Sequence, residues 1–254
     1  IAQNYLLNAM KVPTPKTYVF WEKDKAQAWI HEEAVFPLVH KGARGAGSSQ
    51  VSLVRRLNEA EKLINQRFSQ RGAWNHKGYR NTAGRKGGNL LLTNLANIFT
   101  NLSDSVALAF AGKRPHLPKG YWMPEKDAIL FQEFIPQNDF DTRITIIGDR
   151  AFGFRRMNRE DDFRASGGGS LDYDQNQIDK GMISMAFEVS HAGGFQSMAY
   201  DFLKDENGRP RICEMSFGYQ NTAVYDCPGR WDSQLNYHDG HMWPEEAHIK
   251  DFLL

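Results

Sequence analysis

Two acidic residues stand in apolar, β-forming sequence on either side of one turn signal: Asp201 in "MAYDFL" and Glu214 in "ICEMSF", flanking Glu206-Asn207-Gly208. Counted outward from Asn207 and Gly208 they lie at similar distances on opposite arms, so a hairpin lets them face each other. Two facing carboxylates repel unless a cation lies between them. Hard oxygen ligands of this kind suit Mg2+ held together with nucleotide phosphates. The plain alternative is an exposed cross-strand acidic pair. Against it, both acids are embedded in apolar sequence, Met198-Ala199-Tyr200 and Ile212-Cys213, where an unpaired charge is costly.

Two further stretches have anion chemistry. "LVHKGARGAGSSQV" puts Lys41 against a run of small residues. It reads either as a hairpin turn or as a phosphate cradle, in which glycine lets backbone N–H groups approach an anion and lysine adds a point charge. "FRRMNREDDFRASGGGS" sets Arg155, Arg156, Arg159 and Arg164 before Gly167 to Gly169. Arginine's fork suits phosphate or carboxylate oxygens, and a solvated loop is the other reading.

Elements that would position these residues follow from the pattern. "KTYVFW" and "FPLVHKG" read as strands, "EKDKAQAWIHEE" as a helix, and "VSLVRRLNEAEKLINQRFSQ" has helical spacing of Leu53, Leu57, Leu63 and Ile64. "AILFQEFI" reads as a buried strand. "DTRITIIGDRAFGFRRMN" alternates about Gly148-Asp149, a hairpin signal, and "NQIDKGMISMAFEVSHAG" as a helix precedes the hairpin that carries the two acids. Between them, residues 70–128 hold a polar, glycine-rich basic stretch, an apolar helical stretch and a proline-punctuated loop. The simplest organisation is two α+β lobes, 1–130 and 131–254.

The chain has 254 residues with 31 basic and 30 acidic side chains, so no general polyanion-binding field is implied and neither nucleic acid nor a membrane surface is an expected partner. No apolar run approaches a membrane span. Cys213 and Cys227 lack metal-ligand spacing and fit a reducing cytosol, so a cytoplasmic location is expected. The chain begins at Ile1, and residues upstream of it are expected.

Taken in order, these pieces resemble the ATP-grasp superfamily, and within it the RimK-like carboxylate–amine ligases that add glutamate to a protein carboxylate. "PLVHKGARGAGSSQV" is similar to the family's strand, nucleotide lysine and glycine-rich flap. "ILFQEFIPQNDFDTRITIIGDRAFGFRRMNREDDFRASGGGS" is similar to its hinge, Asp-x-Arg strand, Gly-Asp hairpin and Phe-Arg phosphate loop. "AYDFLKDENGRPRICEMS" resembles its paired metal-binding strands. The resemblance implies an α+β ATP-grasp fold of two lobes clasping ATP between antiparallel sheets, with Mg2+ as metal. Lys41 would contact the α- and β-phosphates, and Gly45, Gly47 and Ser48 would fold over them. Glu133 and Ile135 would offer backbone hydrogen bonds to adenine, and Asp139 would hold the ribose. Arg143 and Arg155 would line the cleft, Arg164 would stabilise the transferred phosphoryl group, and Asp201 and Glu214 would bind magnesium.

The chain departs from the family pattern twice. Ser216 stands where an asparagine ligand is usual, two residues after the metal glutamate; a serine oxygen ligates more weakly or through water. A further nucleotide lysine usually precedes the first helix, where this chain begins, and an N-terminal substrate domain is usual there too. The tail "QNTAVYDCPGRWDSQLNYHDGHMWPEE" resembles relatives associated with bacterial surface-polysaccharide gene clusters. Its Trp231, Tyr237, His238, His241 and Trp243 either stack on a sugar or line an acceptor pocket, or simply pack a C-terminal loop. The implied reaction is ATP-dependent joining of a small-molecule carboxylate and an amine through an acyl phosphate, the acid being a uronic acid, a sugar-linked carboxylate or a short peptide. No residue is compelled as the base; Asp161, Asp162 and His191 are candidates. A hydroxyl kinase and a nucleotide-binding module without turnover are the rival readings.

Overall fold

The computed structural model describes residues 1–42, 51–69, 126–158, 162–165 and 170–253. Helix α1 (Ala2–Ala9), strand β1 (Thr17–Phe20), helix α2 (Lys23–Glu32), strands β2 (Leu38–Lys41) and β3 (Val51–Val54), helix α3 (Leu57–Arg67) and strand β4 (Ile129–Glu133) come first. The four strands form one antiparallel sheet in the order β1-β4-β2-β3. Trp29 and Ile30 of α2 and Ala60 and Ile64 of α3 cover it, packing on Leu38, Val54, Ile129 and Phe131.

Helical spacing had included Val51 to Val54, and the structure corrects this. They form a strand paired with β2, Leu38 opposite Val54 and Lys41 opposite Val51. The β-branched ends favour the pleated ladder, and the helix starts only after Arg56.

Strands β5 (Phe140–Ile147), β6 (Arg150–Met157) and β7 (Leu171–Asp172), a 3-10 turn (Gln175–Gln177), helix α4 (Lys180–Gly193), strands β8 (Ser197–Lys204) and β9 (Pro210–Ser216), helix α5 (Asn221–Tyr225), strands β10 (Gly229–Asp232) and β11 (Tyr237–Asp239) and helix α6 (Pro244–Leu253) complete the described elements. Seven strands make a second sheet, ordered β11-β10-β6-β5-β8-β9 with β7 on β6. The β5–β6 turn sits where the sequence signal placed it. Gly148 adopts φ +58° as first central residue, a conformation that costs glycine nothing.

Pairing register divides the larger sheet into two faces. On one, Ile144, Ile146, Tyr200, Phe202 and Ile212 pack under Ile183, Ala186 and Val189 of α4. The other face has two uses. At one end Ile147, Phe152 and Phe154 are covered by Val224, Cys227, Met242 and Ala247 of the tail; at the other stand the charged residues of the cleft.

The division at residue 130 expected from sequence falls inside β4, which belongs wholly to the smaller sheet. Leu7 of α1 packs in the core of the larger sheet, and Pro13 O accepts from Ile212 N at 3.0 Å. The chain start therefore serves the second unit.

Candidate functional site

A cleft between the sheets is lined by Val39 and Lys41, by Gln132 to Ile135, by Gln137 and Asn138, and by Asp141, Arg156, Arg164, Asp201, Cys213 and Glu214 among others. Lys41 ends β2, and its Nζ donates to Cys213 O at 3.1 Å, spanning the two sheets. Glu133, Phe134 and Ile135 lead out of β4 into the connection, so the strand that holds the smaller sheet together also forms one wall.

Asp201 and Glu214 are cross-strand partners, and a bulge makes them so. Below them Phe202 pairs with Ile212; above, Asp201 pairs with Glu214. Cys213 is the extra residue. A regular ladder would have set Cys213 opposite Asp201, so the bulge re-aims Glu214 onto the acid face. It also leaves the Cys213 carbonyl to accept from Lys41.

Asp201 is 4 % exposed and carries two arginines. Arg143 Nε and Nη2 donate to its carboxylate at 2.7 and 2.9 Å, and Arg156 Nη2 donates at 2.6 Å. Arg156 Nε and Nη2 also grip Asp141, both at 2.6 Å. Burial opposes ionisation of Asp201, but Arg156 and Arg143 outweigh it and hold its pKa below the ordinary value. Burial pushes Asp141 up to about 6, with Arg156 working against the shift. Glu214 is reached by solvent along the cleft although protein surrounds much of it; this desolvation and the charge of Asp201 raise its pKa. Among the described residues Glu214 has no hydrogen bond or ion pair. An unpaired carboxylate with a raised pKa beside a second carboxylate fits a divalent cation, which would lie against Asp201 and Glu214.

Other expected site residues are placed differently. Arg164 does line the cleft; its Nε and Nη2 are held by Asp162, and its Nη1 reaches Val51 O at 3.3 Å. Arg155 is not among the residues lining the cleft: on the opposite face of β6 it pairs with Asp172 and lies over the Phe140 ring at 4.8 Å. Asp139 is exposed, and Gln137 and Asn138 line the cleft in its stead. Ser216 is turned into its own loop, donating to Gly218 O at 2.8 Å and accepting from Gly218 N at 3.1 Å, so its hydroxyl does not join the acidic pair. Gly45, Gly47 and Ser48 lie outside the described residues, as does Asp161. Asp162 is committed to Arg164. His191 is exposed on α4, the helix packed against the sheet's other face.

Sequence reasoning left Asp141 out of the site and named Arg156 only within the arginine run, without placing it in the cleft. A signal for them existed. Counting outward from Gly148-Asp149 sets Asp141 opposite Arg156 and puts both on the face of Arg143, as the observed register does.

The tail aromatics divide. Trp231 is 4 % exposed, belongs to the core, and meets Tyr237 edge-on at 5.0 Å. His238 Nε2 bonds Asp232 at 2.8 Å, and His241 Nδ1 donates to Tyr225 O at 2.7 Å. These are packing contacts. Trp243 stacks on Tyr225 at 4.1 Å and stays 42 % exposed.

No family model matches the chain, and no curated protein matches it in sequence. Solved structures do share its fold. The macrocyclase MdnC from Microcystis aeruginosa MRC, bound with precursor peptide MdnA, is similar at TM-score 0.51 and 14 % identity, over 99 % of this chain and 59 % of that one. Biotin carboxylase from Campylobacter jejuni, in complex with βγ-ATP, gives 0.50 and 14 % over 85 % and 39 %. The biotin carboxylase domain of 2-oxoglutarate carboxylase from Hydrogenobacter thermophilus, in complex with MgADP, ADP and bicarbonate, gives 0.50 and 13 % over 85 % and 38 %. The chain thus spans between 38 and 59 % of these chains. Its fold is the α+β ATP-grasp fold. Among the described residues no helix is long and apolar enough to cross a membrane.

Proposed function

We propose that the chain is the catalytic part of an ATP-dependent carboxylate–amine ligase, with ATP and Mg2+ bound in the cleft between the sheets. One observation carries this reading: Lys41, Arg156 and Arg164 from separate elements line one cleft with Asp201 and Glu214, and Arg143 holds Asp201 there. Structures of the same fold are complexes with βγ-ATP and with MgADP, and another is bound to a precursor peptide.

In this reading Lys41 together with Gly45, Gly47 and Ser48 holds the phosphates, and the backbone at Glu133 and Ile135 holds adenine. Asp201 and Glu214 hold magnesium, which would neutralise phosphate charge. Arg143, Arg156 and Arg164 would neutralise charge on the transferred group. A substrate carboxylate oxygen attacks the γ-phosphorus, the bond to the β-phosphate's bridging oxygen breaks, and ADP leaves. The amine then attacks the acyl carbon, phosphate departs and the amine's proton is lost. Catalysis is mainly positioning and electrostatic stabilisation. The acids favoured are uronic acids and short acidic peptides.

Hydroxylamine trapping tests the reaction type. Incubated with MgATP, hydroxylamine and a panel of such acids, the protein should form hydroxamate together with ADP. Arg164→Ala should abolish hydroxamate while sparing nucleotide binding, because its charge acts mainly as the phosphoryl group moves. Phosphate ester with no hydroxamate, across acids that stimulate ADP release, would show a hydroxyl kinase instead.

A further inference from the structure

Each of the cleft's cations among the described residues is held by an acceptor of the protein's own. Lys41 is on Cys213 O, Arg164 on Asp162 and Val51 O, Arg156 on Asp141 and Asp201, and Arg143 on Asp201. The centre of this arrangement is nearly dry: the side chains of Arg143, Arg156, Asp141 and Asp201 are 17, 9, 12 and 6 % exposed. Two positive and two negative groups there already cancel. A single ligand of either sign would unbalance them.

We propose that Asp201 is a shared acceptor, held by Arg143 and Arg156 until magnesium takes its oxygens, and that this exchange makes metal and nucleotide bind as an obligate pair. The inference rests on the nucleotide and metal reading above and adds to it a coupling carried by named side chains. Magnesium alone would have to draw Asp201 away from two arginines and leave them with Asp141 as their carboxylate, in a place where unpaired charge is costly. Nucleotide alone could draw the arginines onto its phosphates, but would then face a bared Asp201 and Glu214. Together each ligand supplies the partner that the other removes: Asp201 passes to the cation and the arginine forks to phosphate oxygens, which they suit in the same bidentate manner. Glu214, unpaired among the described residues, is the side on which the cation enters.

Linkage makes the consequence symmetrical. If magnesium raises affinity for nucleotide by some factor, nucleotide raises affinity for magnesium by the same factor, on the order of 10- to 100-fold for a coupling of ordinary size. The arginines oppose metal binding in the nucleotide-free protein, so removing one should improve it.

The test is binding, without turnover. Mn2+ binding to the nucleotide-free protein is measured by electron paramagnetic resonance, and ADP binding by calorimetry with and without Mg2+. In the parent, Mg2+ should strengthen ADP binding by at least about tenfold. In Arg143→Gln, Mn2+ should bind the nucleotide-free protein roughly tenfold more tightly than in the parent, while ADP binding with Mg2+ weakens. Arg143→Lys keeps the charge with fewer hydrogen bonds, guards against a folding defect in the first variant, and should shift Mn2+ affinity the same way by less. Equal ADP affinity with and without Mg2+, or unchanged or weaker Mn2+ binding in both variants, overturns the exchange while leaving the nucleotide site standing. Absence of ADP binding with Mg2+ present overturns the site and the exchange together.

Discussion

Asp201 and Glu214 face each other across β8 and β9, yet two arginines hold the first and the second is unpaired among the described residues. The asymmetry comes from neighbours rather than from the acids. Asp201 has Arg143 opposite it on the adjoining strand β5, while Glu214 stands on β9 at the end of the sheet order and looks into the cleft.

Glu214→Gln separates stability from function. Like charges directly opposite in a sheet are destabilising, so the substitution should leave the nucleotide-free protein as stable or slightly more stable in thermal melts. With Mg2+ present, calorimetry should show ADP binding weakened about tenfold or more, the loss typical of disturbing a metal's surroundings. Unchanged affinity would remove Glu214 from the metal site.

Ser216→Ala tests whether the hydroxyl serves the loop or the metal. The hydroxyl's bonds to Gly218 predict a loss of about 1 kcal/mol in chemical denaturation, the usual net worth of such a bond. The magnesium concentration needed for half-maximal ADP binding should stay within about twofold. A marked rise would make Ser216 a ligand after all.

Legibility of this fold in the sequence tracked how locally each feature is determined. Hairpins about Gly148-Asp149 and Asn207-Gly208, α4, and the facing of Asp201 and Glu214 follow from turn residues and alternation a few positions apart. The equal count from Asn207-Gly208 was right even though the turn itself is centred one half-step earlier, with Lys204 opposite Pro210; the bulge at Cys213 restores it. Arg155 and Arg156 are harder, because adjacent strand residues point to opposite faces and only the register decides which enters the cleft. Val51 to Val54 were misread because leucine spacing ran smoothly from a strand into a helix. The burial of Trp231 depends on β10 pairing with β6, a long-range choice that an aromatic-rich tail does not announce.

Trp231 and Trp243 should behave oppositely. Trp231, on β10, packs into the core of the larger sheet beside Tyr237, so Trp231→Ala should cost about 3–5 kcal/mol in denaturant unfolding. Trp243, stacked on Tyr225 but with much of its surface open, should cost roughly 1 kcal/mol, near the worth of an aromatic pair. Equal losses would contradict the division of the tail into core and surface.

Asp232 gives the tail a pH signature. Its Oδ1 accepts from Gln234 N and Asn236 N, both at 2.9 Å, and its Oδ2 accepts from Asn236 Nδ2 at 3.2 Å and from His238 Nε2 at 2.8 Å. These bonds favour the ionised form: the His238 hydrogen bond first and then, against desolvation, the Asn236 and Gln234 bonds lower its pKa to about 2. An unfolded aspartate titrates near about 3.9, so the folded state releases this proton more readily than the unfolded one. The stability that Asp232 contributes is therefore fully present above about pH 4 and is lost as pH falls toward about 2. Asp232→Ala should lower Tm at pH 7, keep the same deficit down to about pH 4.5, and approach the parent as both are taken further into acid. Melting curves of the two proteins across that range check it. A deficit that grew on acidification, or that was absent at pH 7, would mean that the turn from Asp232 to His238 is held by something other than this carboxylate.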